Sequence, residues 1–89
     1  MNFSLITDGT EFRVTSEYVE IFATLEADGR LLVRSWYDVP PFLNLKDAIN
    51  FLIRNTEEEI DVIPGPTGFW QSLGFTMVDK EGYRWRYLR

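Results

Sequence analysis

Three acid–glycine pairs, Asp8-Gly9, Asp28-Gly29 and Glu81-Gly82, each stand between runs in which apolar and polar residues alternate. Alternation gives a strand one apolar face. A glycine free to take positive φ after an acidic residue lets the chain reverse tightly, so each pair predicts a β-hairpin. In "NFSLITDGTEFRVT" a two-residue turn pairs Leu5 with Phe12 and Phe3 with Val14 on the apolar face.

The second hairpin, "EYVEIFATLEADGRLLVRSWYD", closes in one of two ways. A three-residue loop Ala27-Asp28-Gly29, with Gly29 left-handed in a bulge, pairs Glu26 with Arg30 and puts Val19, Ile21, Ala23, Leu25, Leu31 and Val33 on one face. A two-residue loop instead sets Arg34 beside Ala23 on the apolar face. An unpaired guanidinium is costly to bury, which favours the longer loop.

Beyond "PPF" the period changes from two to that of a helix. Leu45, Ala48, Ile49 and Leu52 fall at i, i+3, i+4 and i+7, with Asn44 as N-cap and Asp47 in the first turn, predicting the principal helix over 44–55. "IDVI" reads as a short strand, and Thr67 caps a short helix over 67–73 that Gly74 ends in the left-handed conformation. In the last hairpin, with Lys80-Glu81-Gly82 as a bulged loop, Met77 pairs with Trp85 and Phe75 with Tyr87. Thr76, Val78, Arg84 and Arg86 then point the other way. The closing "YRWRYLR" is thereby an amphipathic strand, aromatics inward and arginines solvated, and not a stacking platform for bases. The expectation is one α+β domain over 1–89: an antiparallel six- or seven-stranded sheet built from three hairpins, one main helix packed on one face and one short helix. Leu5, Phe12, Ile21, Leu25, Val33, Ile49, Leu52, Phe75 and Trp85 are its expected core.

Composition narrows the chemistry. The chain has neither cysteine nor histidine, which removes disulfides, thiolate chemistry, the usual zinc ligands and the commonest general base. A net charge of −5 disfavours direct binding to nucleic-acid phosphates. No apolar run approaches the ~20 residues that span a bilayer; the expected location is cytoplasmic.

Two surface features remain. Glu57, Glu58, Glu59 and Asp61 form the densest acidic cluster, which reads either as a solvated loop or as a mimic of a phosphate track. On the second hairpin, the longer loop points Tyr18, Phe22, Leu32 and Trp36 away from the apolar face. Such residues among charges suit the centre of an interface with a partner protein or a second copy.

The stretch "GFWQSLGFTMVDKEGYRW" resembles the end of GNAT-superfamily acetyltransferases, where a short helix with an aromatic pair leads through "LGF" into a final hairpin. The pattern covers roughly residues 60–88 and implies the later half of that fold. That family holds the acetyl-CoA pyrophosphate on a glycine-containing basic loop before its main helix, where this chain has "DVPPFLN", with no glycine, no arginine and two prolines lacking the N–H. The first expectation for function is therefore a small acidic non-catalytic protein-binding module, an adaptor or inhibitor without cofactor or metal. A reduced GNAT-like acyltransferase comes second, and an acidic nucleic-acid mimic third.

Overall fold

Alternation and turn chemistry produce one continuous sheet. The computed structural model describes residues 2–39, 44–63, 67–79, 81 and 83–89. In chain order the elements are β1 (Ser4–Asp8), β2 (Glu11–Thr15), β3 (Val19–Leu25), β4 (Leu31–Asp38), α1 (Leu45–Arg54), β5 (Ile60–Val62), α2 (Thr67–Ser72), β6 (Thr76–Asp79) and β7 (Arg84–Tyr87). The fold is α+β, with an open seven-stranded sheet in the order β1-β2-β3-β4-β5-β7-β6. Neighbours are antiparallel except β4 and β5, which are parallel. That pair departs from the wholly antiparallel sheet expected: α1 carries the chain back across the sheet, and a helical crossover returns it in the same direction.

Between β1 and β2, Leu5 lies opposite Val14 and Thr7 opposite Phe12, not Leu5 opposite Phe12 and Phe3 opposite Val14. The reason is the turn: Asp8 pairs with Glu11, and Gly9, at φ +60°, takes the first of two loop positions, where a II′-type turn requires positive φ. Moving the loop by one residue moves every pair by two, so the apolar residues keep their face.

Between β3 and β4 the three-residue loop forms. Gly29 sits at φ +86°, the Glu26 N–H donates to the Arg30 carbonyl at 2.8 Å, and Leu25 lies opposite Leu31. Further along, Ala23 pairs with Val33 but Phe22 pairs with Ser35, so Arg34 is an extra residue in β4. This bulge decides where Trp36 goes. A bulge places two successive residues opposite one, and the alternation resumes a step late. Trp36 consequently lies opposite Ile21 on the core side, with its ring 5.6 Å from that of Trp70. It does not share the outer face with Phe22, as an uninterrupted strand would have it.

One buried cluster holds Val14, Ile21, Val33, Ile60, Val62 and Trp85 from the strands, Leu45, Ala48, Ile49 and Leu52 from α1, and Trp70 from α2. Each large side chain fully withdrawn from water contributes ~1.5–3 kcal/mol. Of the expected core, Ile21, Val33, Ile49, Leu52, Phe75 and Trp85 are buried, while Leu5, Phe12 and Leu25 pack partly exposed against it.

Helix α1 is capped from a distance. Asn44 makes no side-chain cap bond; instead the Asp38 carboxylate, at the end of β4, accepts from the backbone N–H of Asn44 at 3.2 Å and of Leu45 at 3.0 Å. A carboxylate there satisfies otherwise orphaned donors and opposes the positive helix end. At the other end Arg89 donates to the carbonyls of Ile53 at 2.9 Å and Glu58 at 2.6 Å. Its cation thus offsets the acidic residues that follow the helix. Among the described residues no helix is long and apolar enough to cross a membrane. The expected Thr67 cap and the Lys80-Glu81-Gly82 loop fall on side chains or residues outside those described.

Candidate interaction surface

Both helices contribute to the same buried cluster, so among the described residues the opposite face of the sheet carries no helix. Register assigns its residues in rows across the strands. One row runs Ile6, Arg13, Phe22, Ser35, and the next Asp8, Glu11, Thr24, Leu32, Asp61, Arg86, Thr76, crossing all seven strands. The second row is mostly charged, and the first sets Ile6 and Phe22 on either side of Arg13.

Towards β1 this face is hollowed. Ile6, Asp8, Glu11, Phe12, Arg13 and Phe22 line a depression of about 330 Å³. On this face its apolar side chains are Ile6 and Phe22, with the carboxylates of Asp8 and Glu11 around them, while Phe12, opposite Ala23, turns its ring to the core. Arg34, the bulge residue, reaches back over β3 to Glu11 at 3.0 Å, an exposed pair worth no more than ~1 kcal/mol, and the Thr24 hydroxyl donates to the same carboxylate at 3.3 Å.

Phe22 and Leu32, two of the four aromatic and aliphatic residues singled out on the second hairpin, are diagonal neighbours on this face and half-buried. Tyr18 is exposed but lies four residues up the strand from Phe22, ~13 Å away. The hydrogen bond from its hydroxyl to Glu17 pushes its pKa up. Trp36 is on the opposite side. Sequence reasoning passed over Ile6 and Tyr37, 43% and 62% exposed. Ile6 carried a signal: it is an apolar residue at a polar position of the first hairpin.

The acidic residues differ in their partners. Glu57 is exposed, whereas Glu59 accepts from Arg30 Nε at 2.9 Å. Arg30 also holds Asp28, whose carboxyl falls below its ordinary range because the Arg30 backbone N–H and then its guanidinium donate to it. Asp61, only 1% exposed, lies beneath two arginines. Arg86 donates through Nε at 2.7 Å and Nη2 at 3.1 Å, and Arg84 through Nη1 at 3.0 Å. The hydrogen bond to Asp61 is the main reason the Arg86 pKa is raised. Arg84 and Arg86, expected as a solvated strand face, are therefore the lid of a buried ion-pair group. Among the described residues no group of three or more acidic side chains is gathered as a metal would need.

No protein-family model, curated protein or solved structure matches the chain.

Proposed function

We propose that this chain is a non-catalytic protein-binding module that takes its partner on the helix-free face of the sheet, around Phe22. The observation that carries the reading is the hollow between β1, β2 and β3, where the apolar side chains of Ile6 and Phe22 lie among Asp8, Glu11 and Arg13. Apolar anchors surrounded by charges are the usual anatomy of an interface centre. The rim acids, with a net charge of −5, select a partner whose large apolar side chain is flanked by lysine or arginine. The test is a panel of short extended peptides of that pattern, followed by amide chemical shifts. Binding should perturb Ile6, Arg13 and Phe22 together, and Phe22→Glu should abolish it while shifting the unfolding midpoint little, because Phe22 lies outside the core. Perturbations clustered on the helix side, or none across the panel, would overturn the assignment.

The acyltransferase reading keeps the support of its element order: a helix, a short strand, a second helix and a closing hairpin follow β4. Against it stands Asp38, whose carboxylate occupies the α1 N-terminal amides at 3.0–3.3 Å, where a pyrophosphate would meet both blocked donors and a like charge. Residues 40–43 of the "DVPPFLN" segment lie outside those described. Calorimetry with acetyl-CoA is expected to give no saturable heat; micromolar binding would restore this reading to first place. The phosphate-mimic reading loses its line of free carboxylates to Arg30, Arg84 and Arg86. Converting Glu57, Glu58 and Glu59 to glutamine tests it, since competition with DNA for a basic protein that the triple variant weakens would revive it.

A further inference from the structure

The two edges of the sheet differ. β6 is four residues long and has a register shift between Met77 and Asp79, devices that discourage another strand from adding. β1 pairs with β2 without a shift, and its sequence SLITD contains no lysine and no proline. It is an open template.

Hydrogen-bond parity shows which groups of β1 are on offer. The Leu25 N–H donates to the Thr10 carbonyl and the Ser16 N–H to the Val19 carbonyl. Even-numbered residues of β2 therefore bond β3, and Glu11, Arg13 and Thr15 bond β1. On β1 their partners are Asp8, Ile6 and Ser4, which leaves the backbone N–H and C=O of Leu5 and Thr7 pointing out of the sheet.

We infer that β1 pairs with the β1 strand of a second copy, antiparallel about a two-fold axis at Ile6. This rests on the strand edge and not on the peptide-binding reading. Only this register matches all five strand residues while setting outward groups opposite outward groups. Leu5 meets Thr7 of the other copy in hydrogen-bonded pairs on both sides of the axis, and Ile6 meets its own symmetry mate in the closer, non-hydrogen-bonded pair. Ser4 meets Asp8, a hydroxyl facing a carboxylate with no like charges opposed. Shifting the axis to Thr7 would set Asp8 against Ile6, and shifting it to Leu5 would leave Asp8 beyond the paired strand. On the helix side a hollow of about 600 Å³, lined by Asn2, Phe3 and Phe51 among others, leaves room for the incoming hairpin turn. The dimer would join two sheets into one and bring the two Phe22 hollows to either side of the axis.

Equilibrium sedimentation tests this, with the chain at 10.5 kDa expected to run at twice that mass at micromolar concentration. Added salt should tighten the association, since each copy carries −5 and screening removes their repulsion. Ile6→Lys opposes two cations at the axis, and Thr7→Pro removes an outward N–H without touching the β1–β2 ladder; either should give a folded monomer. The chain has no cysteine, so Ile6→Cys places a unique thiol at the axis, where the ~4.5 Å Cα separation of a non-hydrogen-bonded pair lies within disulfide reach. It should oxidise to a covalent dimer about tenfold faster than Val78→Cys on the other edge, with 1.4 kcal/mol corresponding to that ratio. A monomer at all salt concentrations, or equal oxidation at both positions, would overturn the assignment.

Discussion

Asp61→Ala is expected to lower the free energy of unfolding by about 3 kcal/mol, measured by urea denaturation followed through tryptophan fluorescence. The carboxylate is 1% exposed and accepts three hydrogen bonds from two arginines whose side chains keep 32% and 20% of their exposure. Removing it leaves two guanidinium groups side by side on β7 with their counter-charge gone. Breaking a buried pair by deleting one partner costs ~3–5 kcal/mol, and the partial exposure of the arginines places this case at the lower end. Replacing the whole group, Asp61→Leu with Arg84→Met and Arg86→Met, should cost far less than Asp61→Ala alone, since an apolar cluster of similar volume carries no desolvation penalty. A loss below about 1 kcal/mol in Asp61→Ala would mean that water reaches the arginines freely and that the group adds little to stability.

Trp70→Ala is expected to cost about 3–5 kcal/mol, enough to leave a chain of this size close to unfolded. Trp70 is fully buried, and its ring lies edge-on to Trp36 at 5.6 Å, Phe69 at 4.9 Å and Phe75 at 5.4 Å. Truncation empties the place where β4, α2 and the start of β6 meet, and the remaining rings are too stiff to fill it. Trp70→Phe should cost much less. It keeps an aromatic ring in the cluster, and it removes an indole N–H that is buried without a hydrogen-bond partner among the described residues. Near-UV circular dichroism should show the cluster signal lost in Trp70→Ala and retained in Trp70→Phe. Equal losses in the two variants would indicate that the indole, and not aromatic contact, holds the cluster.

Local pattern was enough for much of this molecule. A period of two with a glycine after an acid gave the Ala27-Asp28-Gly29 loop, because the covalent freedom of Gly29 and the cost of burying Arg34 against Ala23 both act within a few residues. The stripe Leu45, Ala48, Ile49, Leu52 foretold the buried face of α1 for the same reason: helical spacing is a property of the chain itself. The candidate surface was legible only in part. Phe22 and Leu32 follow from alternation, whereas Ile6 joins them through the pairing of β1 with β2 and β2 with β3, which no single strand encodes.

Trp36 marks where local reading ends. Alternation from Leu31 puts it outside, and the one-residue bulge at Arg34 puts it inside, since its ring has Trp70 to meet there and Arg34 has Glu11 to reach on the outer face. Asp38 and Asp61 show the same limit: each is one acid among fourteen until α1 brings its amides to Asp38 and β7 inserts beside β5 with Arg84 and Arg86. The sequence by itself determined which residues alternate, where the chain turns to within a residue in the first two hairpins, and which helix face is apolar, because those depend on neighbours a few bonds away. Only the tertiary structure decided which charges are paired, which face Trp36 joins and which edge stays open. Those rest chiefly on contacts between residues some twenty or more positions apart, such as Arg84 and Asp61, whose energies exist only once the sheet has closed.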